Sequence, residues 1–106
     1  MKRFGPSLLL AATLLLLSHS AMAAQSDLEL ATSKNCMGCH AIDRKVLGPA
    51  YKDVATKYRN DPAAPARLTQ KVLSGGGGVW GTAKMPSNPQ VTEAEAKRLV
   101  AWLLRQ

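Results

Sequence analysis

Beyond residue 24, apolar positions recur at helical and not at strand spacing. In the last segment Leu99, Val100, Trp102 and Leu103 share one face, while Lys97, Arg98 and Arg105 fall on the wet one. Thr92 and Glu95 stand at capping-box spacing, and Glu93 and Glu95 complement the positive end of a helix that opens there. Trp102 is expected to pack as core against the first helix. Leu68, Val72 and Leu73 mark a second apolar face, on a helix that Pro65 suits in its first turn and that runs to about Leu73. A short helix is expected over residues 50–58, between the Gly48-Pro49 break and the Asn60-Asp61-Pro62 turn. Ser26 and Glu29 read as another capping box, opening a helix toward Lys34 and Asn35; the alternative is two polar residues on a mobile terminus. The glycines at 75–78 end the third helix, and Pro86 and Pro89 keep the following segment extended as far as Val91. A phosphate-cradling role for those glycines is excluded, because no Gly-Lys-Ser/Thr follows and no strand precedes. The expected fold class is all-α, with about four short helices.

One apolar run has no polar face. Lys2 and Arg3 precede the apolar-rich residues 8–17, and Ala21-Met22-Ala23 offers the small-x-small pattern that a signal peptidase reads. Residues 1–23 are therefore expected to be a secretory signal, removed before Ala24, leaving one domain over residues 24–106. The run is about half of the roughly 20 residues that a spanning helix needs, so no stable membrane insertion is expected. Losing Lys2 and Arg3 takes the net charge from +7 to +5, a modest surplus without the clustered basic stripe of a nucleic-acid binder. A domain of about eighty residues buries too little of its own surface to be comfortable alone.

The candidate chemistry lies in Cys36-Met37-Gly38-Cys39-His40. C-x-x-C-H is the attachment signature of a c-type haem: two thiols add across the porphyrin vinyl groups, and the adjacent histidine lies close enough to coordinate the iron. A thioredoxin-like redox pair would need a βαβ setting, and a zinc site four ligands. The chain holds only two cysteines, and its other histidine, His19, lies in the leader. A structural disulfide would suit an exported protein as well as haem does, but does not call for the adjacent His40. A haem would supply the core that the chain lacks, so the apoprotein is expected to be largely unfolded.

A carrier that only passes electrons wants six-coordinate iron. Imidazole and thioether are a common pair, the thioether raising the reduction potential. With His40 on one side, Met37 is denied the other by its place between the two cysteines. Met85 remains, in an irregular segment restrained by Pro86. The alternative is a gap-filling core methionine.

The run CMGCHAID, followed by VLGPAYKDVA, GVWG, KMPSN and a closing helix with Trp102, resembles a class I cytochrome c of the small bacterial c-551 (c8) type. The resemblance covers nearly all of residues 26–106 and implies terminal helices crossing over one edge of a single covalent haem c. Carried over by position, it makes Cys36 and Cys39 the thioether attachments and His40 and Met85 the axial ligands. It makes Pro49 the residue whose carbonyl takes the other ring N–H of the histidine. Trp80 then reaches a haem propionate, and the Asn88 amide reaches the methionine sulfur. The bland alternatives are a turn for Pro49, core for Trp80 and a loop cap for Asn88. Lys71 stands where some relatives carry an arginine paired to the propionate; a lysine is a point charge without the bidentate fork. Ser87 and residues 88–90 differ locally from relatives, with an extra residue before the last helix.

The implied function is a soluble, monomeric, periplasmic one-electron carrier, and not an enzyme. The resemblance implies a membrane cytochrome complex as donor, and a nitrite reductase, a terminal oxidase or a cytochrome c peroxidase as acceptor. Lys34, Lys45 and Lys84 are candidates to ring the exposed haem edge, against the alternative of ordinary solvated lysines. Two other classes stay open: a five-coordinate haem-c sensor or peroxidase-like protein, and a dedicated subunit of a larger reductase.

Overall fold

Two of the four helices begin at a side-chain cap that satisfies one of their free N–H groups. The computed structural model describes Lys2, Arg3, Gly5 and residues 24–106; the rest of the leader read over residues 1–23 lies outside the described residues. Helix α1 spans Asp27–Ser33, and Ser26 Oγ accepts the Glu29 N–H at 3.1 Å. Asn35 then turns into the left-handed region (φ 66°), a conformation its short polar side chain tolerates. That reversal ends the helix just short of the expected boundary and throws the chain into a single 3₁₀ turn, Cys36–Gly38. No periodicity announces so short an element.

Helix α2 spans Tyr51–Tyr58. Its first N–H groups have no side-chain cap; those of Tyr51 and Lys52 donate to the carbonyls of Ala41 and Ile42, both at 2.9 Å. The start of α2 is thereby fastened to the segment that follows the cysteine motif. Helix α3 spans Ala64–Ser74, beginning one residue before Pro65. Asp61 prepares it, taking the Ala63 N–H at 2.9 Å while pairing with Arg67. Helix α4 spans Glu93–Leu103 and carries the complete capping box, with Thr92 and Glu95 bonded reciprocally at 3.0 and 3.1 Å.

Helix α4 touches α1, α2 and α3 alike. One apolar cluster joins Leu30 and Ala31 of α1, Val72 of α3, Val91, and Ala96, Leu99 and Val100 of α4. Ala31 and Ala96 have no exposed surface, which is the small-residue contact that lets α1 and α4 cross closely. A second cluster joins Tyr51 and Val54 of α2 to Leu103. Trp102 packs on both clusters, and its ring meets Tyr51 of α2 edge-on (5.5 Å, 79°). It thus joins the expected core, which includes Leu30 and Ala31 of α1, and adds an aromatic contact to α2. Arg98 and Arg105, expected on the wet face, stay at the surface but converge on Asp27, at 2.7 and 3.3 Å. Among the described residues no strand forms; two isolated bridges, His40–Lys45 and Gly76–Met85, take its place. The fold is all-α.

Candidate haem-binding site

Between the helices lies an open, largely apolar cavity of about 130 Å³. Helices α2, α3 and α4 supply Val54, Leu68, Val72, Leu99, Val100 and Leu103 as its apolar wall. Leu47, Val79 and Trp80 line its mouth and are among the few large apolar residues left exposed.

Cys36, His40, Pro49 and Met85, separated by up to forty-nine residues of chain, all line this one cavity. The 3₁₀ turn brings Cys36 to its wall; Cys39, half-buried at the end of that turn, is not among the residues that line it, and both thiols are free. Burial pushes the Cys36 thiol up, partly offset by the Tyr51 hydroxyl beside it. The Tyr51 phenol is pushed up in turn, first by burial and then by Cys36. His40 Nδ1 lies 2.8 Å from the Pro49 carbonyl oxygen. A carbonyl can only accept, so Nδ1 carries the hydrogen and Nε2 keeps its lone pair for a metal.

Met85 is held through its backbone. It exchanges two hydrogen bonds with Gly76, at 2.9 and 2.7 Å, immediately after α3 ends. Gly75 makes this approach possible: with φ at 74°, a Cβ there would stand 2.5 Å from the Met85 carbonyl oxygen. The Asn88 amide donates to the carbonyls of Val72 (2.8 Å) and Pro86 (3.3 Å), where the resemblance pointed it at the methionine sulfur. In this structure Asn88 ties the methionine loop to α3 by backbone contacts, together with its own N–H to the Leu73 carbonyl at 3.3 Å.

Lys71 and Trp80 both line the cavity. The Lys71 ammonium lies over Gly76, 2.6 Å from where a Cβ would stand. Trp80 sits under the ammonium of Lys57, 5.8 Å from the ring centre. Lys34 is engaged elsewhere: it pairs with Glu95 at 3.2 Å and donates to the Gln90 carbonyl at 3.0 Å, and only about a quarter of its side chain is exposed. That contact takes it out of the expected ring of docking lysines; Lys45 and Lys84 remain exposed.

Sequence reasoning missed Gly48 and Tyr51, which both touch His40. They sit in the same Gly-Pro-x-Tyr run as Pro49, but read only as a helix break and a helix start.

The donor set suits haem and not zinc. An imidazole with its Nε2 free and a thioether face an apolar cavity that the Cys36 thiol also lines. Among the described residues no three His, Cys, Asp or Glu side chains gather as a metal cluster. A family model, Cytochrome c, matches residues 29–106. The chain belongs to the cytochrome c family. It is 50% identical over 84 residues to cytochrome c-551 of Allochromatium vinosum, covering 79% of this chain and 89% of that one. It is 46% identical over 97 residues to cytochrome c-551 of Pseudomonas aeruginosa, covering 92% and 91%. Among solved structures, wild-type cytochrome c552 of Nitrosomonas europaea superposes with a TM-score of 0.72 at 44% identity, covering 74% of this chain and 96% of that one. As a small class I cytochrome c, the protein carries one covalently attached haem c and is an electron carrier.

Proposed function

We propose that this cytochrome c is a soluble periplasmic carrier with haem iron ligated by His40 and Met85, and that it is not an enzyme. The observation that carries the reading is the His40–Pro49 bond, which leaves Nε2 free at the same cavity that Met85 lines. Cys36 and Cys39 hold the haem by thioether bonds. The bound haem supplies Fe(III)/Fe(II) exchange, one electron at a time. The residues around it do the rest. Pro49 orients the imidazole and makes it more basic. Gly75, Gly76 and Asn88 hold the loop that presents the Met85 sulfur. The apolar wall excludes water, and Lys71 and Trp80 serve the propionates.

Export through the leader over residues 1–23 places covalent haem attachment outside the cytoplasm, and among the described residues no helix is long and apolar enough to cross a membrane. Leu47, Val79 and Trp80, with Lys45 and Lys84 nearby in sequence, offer a small docking face of the kind that weak redox encounters use. The partners are other redox proteins: a membrane cytochrome complex as donor, and a nitrite reductase, terminal oxidase or cytochrome c peroxidase as acceptor. The chain acts as a monomer.

The test is an absorption spectrum of the oxidised holoprotein. The weak far-red band of a sulfur–ferric-iron bond is expected in the wild type and absent in Met85→Ala. Its absence from the wild type, or its survival in Met85→Ala, would overturn the ligand assignment.

A further inference from the structure

The Pro49 carbonyl fixes one atom of the His40 ring; it does not fix the plane of the ring. Two further groups press on the imidazole. A Cβ on Gly48 would stand 2.5 Å from Cε1, 2.9 Å from Nδ1 and 3.0 Å from Nε2 of His40. Gly48 is not among the glycines with positive φ. Its backbone would accept alanine; the ring, whose atoms are the nearest to that Cβ, demands a bare Cα here. Gly48 cannot easily yield, since its N–H donates to the Cys39 carbonyl at 2.7 Å and its carbonyl takes the Val46 N–H at 3.2 Å.

Tyr51 is the second group. Its ring stacks on the imidazole with centroids 4.9 Å apart and planes 23° from parallel. Tyr51 is 5% exposed, and Trp102 of α4 meets its ring edge-on. The stack therefore runs from His40 into the helix that organises the core.

We propose that Gly48 and Tyr51, with the Pro49 carbonyl, clamp the plane of the His40 imidazole about the bond from its Nε2 to iron. Both are positioning residues for the axial ligand. The clamp rests on the ligand reading given above. Two physical consequences follow. The plane of an axial imidazole decides which iron d orbital it overlaps, and so the spread of g values of the low-spin ferric ion. The Nδ1–H···O bond makes the imidazole a more basic ligand that favours the ferric state, so a ring pushed off Pro49 raises the reduction potential.

The experiment compares electron paramagnetic resonance and reduction potential of the ferric holoprotein for wild type, Gly48→Ala, Tyr51→Phe and Tyr51→Leu. Gly48→Ala is expected to shift the largest g value and raise the potential. Tyr51→Leu is expected to shift the g value, and Tyr51→Phe, which keeps the ring, to restore it. Wild-type g values and potential in folded Gly48→Ala would overturn the clamp, whatever the fate of the Tyr51 variants. A shift as large in Tyr51→Phe as in Tyr51→Leu would overturn the stack by assigning the effect to the hydroxyl. A high-spin wild-type spectrum would instead overturn the ligand assignment, and the clamp with it.

Discussion

At the scale of single residues, the site depends on places where a side chain is missing. Gly75 combines φ 74° with ψ −171°, a region essentially reserved for glycine, and a Cβ would strike the Met85 carbonyl and the Pro86–Ser87 peptide. Gly75→Ala is expected to cost about 1–3 kcal/mol, read as a lower denaturant midpoint of the oxidised holoprotein, and to weaken the far-red band. Unchanged midpoint and band would show that the loop can reach its position another way. These roles divide the residues into those that sequence reveals and those that it hides. Cys36, Cys39, His40 and Met85 are legible because their chemistry is written in their side chains, and the Pro49 contact follows from resemblance. Gly48 and Gly75 are hidden because a glycine states only that a Cβ is absent. What occupies that space, an imidazole in one case and a carbonyl in the other, belongs to a segment elsewhere in the chain.

At the scale of elements, capping signals place two of the four helices to within a residue or two, and Pro65 and the Gly48-Pro49 break place the others. The 3₁₀ turn escapes because its cause is one left-handed residue, Asn35, and not a pattern. The best-defined start is that of α4, and its strength is measurable. Thr92→Ala removes the side-chain acceptor and is expected to cost about 1 kcal/mol, or about 4–8 °C of Tm for a domain this small. The Glu95 carboxyl is held below the usual range, first by the Thr92 N–H and then by Lys34. A depressed carboxylate stabilises the fold fully above its ordinary value of about 4.3 and less as pH falls through its folded value. The Tm gap between wild type and Glu95→Gln should therefore narrow from pH 7 to pH 3. A gap that stays constant would mean the ionised Glu95 adds nothing to the cap.

At the scale of the whole molecule, the cavity sits where a larger domain would keep its centre. Valines and leucines of α2, α3 and α4 face it, and a bound haem would complete the core that they begin. The chain made without haem attachment is expected to show weak far-UV helicity and no cooperative thermal transition, against a sharp transition for the holoprotein. A cooperative apoprotein would show that α1 and α4 can hold the fold unaided. The all-α class was legible from periodicity and the site from the cysteine motif and Met85. Their meeting in one cavity was legible from ligand elimination, which left Met85 opposite His40, and from the resemblance, because no local signal says that residue 85 returns beside residue 36.

The contact of Arg98 and Arg105 with Asp27, and of Arg98 with the Gln25 carbonyl, brings the beginning and the end of the domain into a single seam. Among the described residues the fold from residue 25 onward is almost a ring, for Asp27 and Arg105 meet although seventy-eight positions separate them. None of the four residues in that seam lines the haem cavity. Order along the chain and order in space are therefore separable here: the domain could be sealed across the seam and opened at the Asn60–Pro62 turn without redrawing the wall around the haem.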